Sequence, residues 1–346
     1  MKSLRDYSVN MTEEQYHEHP AWNHSKIVRY AREGFACLST LHERTVPTPS
    51  MEFGSLFDSM VTKGKKTKEE YTVCTISVPD AEKKALDYIS TMTVKNFDEL
   101  DPEWIYDRTQ ECDYQPKWKM ETKYEKLKAY REYFDLKKSG KKLVSQQDWN
   151  EALEMYCAFR QNDYLKTIFG TKNTEDVEYL YQLKFVADMT LDSGKTVQCR
   201  IMPDLLVVNH KDKVIQPVDL KTSADPAWNF KENFLRFRYD IEGAMYTDVL
   251  QEIISKTDEY KDYTIAPYLF TDISRSDKIP VTYEYDPQSP TQVDGLYFAA
   301  GDKVYQYRGW RSLLEEIVYY EDLQAKVPEY IKTDGPNDLL EILGKK

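Results

Sequence analysis

The chain is poor in the residues that mark several protein classes. Its 12 glycines and 15 prolines among 346 residues exclude a collagenous or low-complexity chain. Five cysteines, Cys37, Cys74, Cys112, Cys157 and Cys199, lie far apart with no C-x-x-C pair. That spacing argues against a disulfide framework, a zinc ribbon or an iron–sulfur cluster, and fits a reducing cytoplasm. No stretch approaches the roughly 18 apolar residues of a membrane span. The opening MKSLRDYSVN lacks the apolar centre of a secretory signal, so a cytoplasmic location is expected. Basic residues are in deficit, 47 against 59 acidic, for a net charge of -12. A uniformly basic, nucleic-acid-coating protein is thereby excluded, whereas a local basic groove is not.

What is present suits a sizeable globular chain. Hydrophobic residues make up 41% and charged residues 31%. No fixed-period repeat or long linker is evident. The 27 tyrosines read first as core and interface residues. Residues 13–45 read as helical, with Asn23 or Ser25 as a cap. In SMEFGSLFDSMV the residues Phe53, Leu56, Phe57, Met60 and Val61 share one helical face. Residues 70–78 read as a strand. Residues 80–170 form a charged helical block, in which KWKMETKYEKLKAYREYF reads as a solvated helix and Ser145 begins a capping box. The pattern then turns to strands at 179–191, 196–208, 214–222, 263–271 and 278–285. A helix from about 235 to 255 and a C-terminal helix around 293–325 accompany them.

The chemistry concentrates in Pro203-Asp204 and Asp219-Leu220-Lys221. The tripeptide alone is uninformative, because Asp135-Leu136-Lys137 repeats it inside the charged helical block. Pro79-Asp80 is likewise isolated. Context separates the copies. If 196–208 and 214–222 form an antiparallel hairpin turning at Lys211-Asp212, opposed residue numbers sum to 423. Asp204 then faces Asp219. Side chains alternate along a strand, so Asp219 and Lys221 share a face. Two carboxylates and an ammonium converge, and facing carboxylates call for a compensating cation. Hard oxygen donors suit Mg²⁺ or Mn²⁺. The competing reading is an exposed cross-strand cluster in which Lys221 neutralises both acids.

These residues resemble the PD-(D/E)XK nuclease motif, and their setting is similar to the phage-type exodeoxyribonuclease VIII (RecE-like) family. YHEHPAWNHSKI resembles the family's Tyr-His-x-x-Pro start, and PSMEFGSLFDSMV its glycine-containing helix. The resemblance implies an α/β fold with a restriction-endonuclease-like core: a mixed sheet of about five strands flanked by helices, with a helical insertion, in a single domain. The N-terminal helical region is then about 13–62, the helical block about 80–170, and the catalytic sheet with its helices about 178–325.

It implies metal ligands at Asp204, Asp219 and the Leu220 carbonyl, with Lys221 as the catalytic lysine. Asp58 stands where the family pattern has a metal-binding histidine. Tyr246 follows Glu242 by four residues, where the family has Gln-x-x-x-Tyr, and Tyr246 is assigned to phosphate or to steadying Lys221. Glu242 is open to pairing with Arg238 instead. Gln182, or Glu178, falls where an acidic residue precedes the Pro-Asp strand.

Also implied are a Mg²⁺- or Mn²⁺-dependent exonuclease on double-stranded DNA ends, a role in recombination with a single-strand annealing protein, a ring-like homo-oligomer, no iron–sulfur cluster, no membrane association, and a phage or prophage source. Arg236, Arg238, Lys63, Lys65 and Lys66 are the candidate DNA contacts. The alternatives are a structure-specific endonuclease of this fold, a non-catalytic protein that binds DNA ends or a recombinase, and an interaction protein with no DNA role.

Overall fold

The computed structural model describes residues 2–324 apart from 45, 293 and 301. The chain divides into two compact units. One comprises residues 1–47 and 158–346, the other 48–157.

The first unit opens with α1 (Glu13–Glu18) and α2 (His24–Glu33). Asn23, not Ser25, caps α2, its side chain accepting from the Lys26 N–H at 3.2 Å.

The second unit holds α3 (Pro49–Lys63), α4 (Thr67–Glu70), α5 (Asp80–Ser90), α6 (Pro102–Glu111), α7 (Met120–Lys128) and α8 (Arg131–Lys137), with α9 (Gln146–Gln161) running out of it. Strands β1 (Tyr71–Cys74) and β2 (Lys142–Ser145) pair in parallel. Thr48 caps α3, and the five residues expected to form its inner face are all buried. Ser145 caps α9 by accepting from the Asp148 N–H at 2.9 Å. The stretch expected to be a solvated helix is instead α7 and α8. Their Leu127, Tyr133 and Phe134 pack with Leu86, Ile89, Phe97 and Ile105 in this unit's core. The dense charges conceal that apolar face in the sequence.

The remaining elements belong to the first unit. After α10 (Asp163–Ile168) come β3 (Val177–Tyr181), β4 (Phe185–Thr190), β5 (Thr196–Ile201), β6 (Leu205–Asn209) and β7 (Val214–Ser223). Then follow α11 (Phe230–Phe237), α12 (Tyr239–Ser255), β8 (Thr264–Ile265), β9 (Tyr268–Ser274), β10 (Pro280–Tyr285), β11 (Gly295–Ala300), β12 (Lys303–Arg308) and α13 (Trp310–Gln324).

The main sheet is mixed, ordered β10-β9-β7-β6-β3, with β8 also on β7. The β7–β9 pair is parallel, and the β10–β9, β6–β7 and β3–β6 pairs are antiparallel. The β6–β7 register pairs Leu205 with Val218 and Leu206 with Pro217. This is the sum of 423 expected from the spacing.

Four expected elements differ in the structure. Residues 179–191 and 196–208 are not single strands. Gln182 takes a left-handed backbone (φ 50°) that ends β3, and residues 202–204 separate β5 from β6. The β4–β5 hairpin is consequently a separate two-stranded sheet. The helix expected at 235–255 breaks at Arg238, also left-handed, so α11 and α12 are distinct. Strands Gly295–Ala300 and Lys303–Arg308 pair antiparallel as β11 and β12, and among the described residues only Trp310–Gln324 of the expected C-terminal helix is helical; its expected ends, 293 and 325, lie outside the described residues.

Helix α12 lies against the sheet through Ile241, Met245, Val249, Leu250 and Ile254, all buried within the core cluster of this unit. Each such aliphatic side chain contributes roughly 1.5–3 kcal/mol of burial. Gly243 allows a close approach, because a Cβ there would stand 3.0 Å from the Tyr285 ring and 3.5 Å from that of Phe270. Glu242 is thus brought down toward β7. Among the described residues no helix is long and apolar enough to cross a membrane.

Candidate functional site

The site forms where β6 begins and β7 ends. Asp204 immediately precedes β6, and its Oδ2 accepts from the Leu220 backbone N–H at 2.8 Å. The Gln182 N–H donates to the Asp204 carbonyl at 3.0 Å, so the turn ending β3 also fixes Asp204. On β7, Asp219 is buried and Lys221 is one alternation further along the same face. The Lys221 Nζ lies 2.6 Å from Asp219 Oδ2 and 2.8 Å from Glu242 Oε2 on α12. It also sits over the Tyr239 ring, 4.7 Å from its centroid.

A second tier reaches the N-terminus of α2. His24 Nε2 faces Glu242 Oε1 at 3.6 Å, and His24 Nδ1 is 3.1 Å from the Tyr246 hydroxyl. Burial and the nearby Lys221 push the His24 imidazole down to about 3, so the ring is neutral. Burial, with Tyr16 and Glu242 nearby, raises the Tyr246 phenol well above its ordinary value. Tyr246 therefore keeps its proton. Glu242 Oε1 facing Nε2 favours the tautomer with the ring's N–H on Nε2, in which Nδ1 accepts from the Tyr246 hydroxyl.

The electrostatics favour a fixed cation. Burial works against the Lys221 ammonium, but Asp219 and Glu242 outweigh it and hold the lysine well above its usual range. Burial and the facing Glu242 push the Asp219 carboxyl up, with Lys221 opposing them. Three carboxyl groups, those of Asp204, Asp219 and Glu242, meet one ammonium, while His24 adds no charge.

The uncompensated acid and the all-oxygen donor set of Asp204, Asp219 and the Leu220 carbonyl fit a hard divalent cation. As the side chains stand, Lys221 is the counter-charge. Among the described residues no three His, Cys, Asp or Glu side chains converge closely enough to hold an ion.

Asp204, Asp219, Leu220, Lys221, Glu242 and Tyr246 are therefore gathered in one place, with Gln182 at its edge through its backbone. Glu178 is not. It lies toward the other end of β3, paired in register with Val208, and bonds the Ser3 hydroxyl at 2.8 Å and faces His210 at 3.5 Å. Arg238 does not pair with Glu242, nor is it available to phosphate. It is buried, bonded twice to Asp240 at 2.9 Å and once to the Arg308 carbonyl at 2.7 Å.

Arg236 is exposed at the end of α11. Asp58 and Lys63 lie on α3 of the second unit, where the Asp58 carbonyl accepts from the Thr62 hydroxyl and Lys63 pairs with Glu70 at 2.7 Å. Lys65 and Lys66 are exposed on the turn after α3.

Sequence reasoning missed His24, Tyr239 and Asp272. Asp272 pairs with Lys221 across the parallel β7–β9 ladder and is 1% exposed. Its Oδ2 is 2.9 Å from the Ser223 hydroxyl, which is also 2.9 Å from the Asp225 carbonyl. The single hydroxyl hydrogen donates to one of these two acceptors at a time. Burial raises the Asp272 carboxyl to about 6, and the hydrogen bond from Ser223 opposes that rise. An acidic residue on the strand beside the lysine was the available signal.

No protein-family model matches the chain, and no curated protein matches it. Among solved structures it is similar to a crystal structure of a "Putative exonuclease" from Eubacterium rectale, at 11% identity and a TM-score of 0.41. The match covers 98% of this chain and 100% of the other. A likeness this distant says nothing of what this chain does.

Proposed function

We propose that this chain is a metal-dependent deoxyribonuclease of the PD-(D/E)XK type, acting as an exonuclease on linear double-stranded DNA. The observation that carries the reading is the convergence of Asp204, Asp219 and Lys221, with Glu242 completing a buried cluster that carries more acid than base. Surface ion pairs need no such burial, and burying a charged group without function is costly. Asp204, Asp219 and the Leu220 carbonyl would hold Mg²⁺ or Mn²⁺. When bound, such an ion polarises a phosphoryl oxygen and lowers the pKa of water.

The chain's own residues set the rest. Asp219 and Glu242 favour the protonated Lys221, which suits it to stabilise charge developing on the phosphate. Glu242 fixes the lysine, and the Tyr246–His24 pair supports Glu242 from behind. Leu220 fixes Asp204 through its N–H. This division favours the nuclease over a non-catalytic binder on the same fold, which would not need an aligned lysine.

The test is degradation of end-labelled linear duplex DNA in Mg²⁺ or Mn²⁺ beside a closed-circular control. Loss of the linear form alone, abolished by Asp219→Ala, supports the exonuclease. Cutting of the circle would assign an endonuclease instead. Inert DNA in both metals would refute the reading.

A further inference from the structure

A line of rings leads outward from Lys221. Its Nζ sits 4.7 Å from the Tyr239 centroid, and Tyr239 stacks on Phe237 with centroids 5.7 Å apart. Phe237 is 37% exposed and carries two guanidinium groups, those of Arg32 and Arg236, each 5.3 Å from its centroid. Arg32 comes from α2 and Arg236 from the last turn of α11, and Arg32 donates to the Arg236 carbonyl at 2.7 Å.

Neither arginine has a carboxylate partner among the described residues. Four other arginines of this unit do: Arg29 pairs with Glu33, Arg238 with Asp240, Arg308 with Glu316, and Arg311 with Asp248, while the buried Arg200 bonds the Ala21 and His17 carbonyls instead. In a chain with 59 acidic residues, two neighbouring unpaired guanidiniums on one ring are conspicuous. A ring face offsets part of their mutual repulsion. An anion would offset the rest, and the planar guanidinium fork matches the oxygens of a phosphate.

We propose that Arg32 and Arg236, seated on Phe237, clamp the phosphodiester backbone of the nucleic-acid strand whose reacting phosphate lies at Lys221. The proposal rests on the nuclease reading of the site. The three steps from Nζ to the guanidiniums span at most about five nucleotides of strand at ~3.4 Å rise each. The clamp therefore holds the same substrate strand a few nucleotides from the point of reaction. The sequence marked Arg236 as one of five candidate contacts, but nothing in it pointed to Arg32 or Phe237.

The experiment is anisotropy of a fluorescein-labelled linear duplex with the full chain in Ca²⁺, over a salt series. Arg32→Ala and Arg236→Ala should each weaken binding about tenfold. Each should lower the slope of log affinity against log salt by about one, and the pair together by about two. Arg32→Lys and Arg236→Lys should restore the slope without restoring full affinity, because charge returns and the fork does not. Phe237→Ala should weaken binding with the slope retained. Thermal melts report whether each variant is folded, and the lysine variants serve if an alanine variant is not.

Unchanged affinity and slope in the double alanine variant, beside an Asp219→Ala protein that binds DNA and no longer cleaves it, would overturn the clamp and leave the nuclease standing. A wild-type protein that neither binds nor cleaves DNA would overturn both.

Discussion

The chain carries the tripeptide Asp-Leu-Lys twice, and the two copies behave differently. On β7, the strand period of two turns Asp219 and Lys221 to the same face, where Nζ and carboxylate meet at 2.6 Å and Glu242 joins them. On α8, residues two apart point in different directions. Asp135 accepts from the Phe97 N–H at 2.8 Å, while Lys137 turns to Asp87 at 3.3 Å. One copy is a buried cluster beside two further carboxyls. The other is a pair of separate structural contacts, with Lys137 near the surface. Chemistry resides in the backbone that presents the residues, not in the tripeptide.

The comparison can be broken most forcefully by substitution on β7. Asp219→Ala should reduce DNA cleavage to background, and Lys221→Ala should reduce it by about 10²–10³-fold, as removal of one transition-state charge does elsewhere. Single-turnover cleavage with Mg²⁺ reads both. Glu242→Gln removes one of the two carboxylates that fix Lys221 without emptying the site. A loss of about 10–100-fold is expected, and rescue by Glu242→Asp would mark the effect as positional.

The α8 copy should answer in stability instead. Asp135→Ala leaves the Phe97 N–H without its acceptor and should cost about 1–3 kcal/mol in denaturant unfolding, with cleavage by the folded protein unchanged. Lys137→Ala removes a half-exposed ion pair and should cost about 0–1 kcal/mol.

Asp272 sharpens the contrast from the neighbouring strand through pH. Its carboxyl is raised from 3.8 to about 6 in the folded chain. The stability it contributes is full below about pH 4 and is lost as pH rises through about 6, because the folded state must then charge a buried group. Asp272→Asn should flatten that part of the melting-temperature profile. An unchanged profile would mean that Asp272 is not the titrating group.

Much of the β7 site was legible because strands obey a rigid arithmetic. The sum of 423 follows from one turn position, and the observed Leu205–Val218 pairing keeps it. The inner face of α3 was legible for the same reason, from a period of 3.6. Hidden instead were the breaks. Gln182 and Arg238 adopt left-handed backbone without being glycine, and no local residue preference announces that.

The β11–β12 pair was overlooked although LYFAA and KVYQYR flank a Gly-Asp turn signal. His24 was beyond reach of spacing altogether. Its bond to Tyr246 joins residues 222 positions apart in the sequence, and only the packing of α2 on α12 creates it. Arg238 misled for a related reason. Its spacing from Glu242 assumed one continuous helix, and the break after α11 sends its side chain to Asp240.

The most direct measurement is a matched pair: Mg²⁺-dependent cleavage of linear duplex DNA by Lys221→Ala and by Lys137→Ala, beside the unaltered chain. The account predicts near-complete loss in the first and full activity in the second. Equal activity in the two variants, or no cleavage by the unaltered chain, would contradict it.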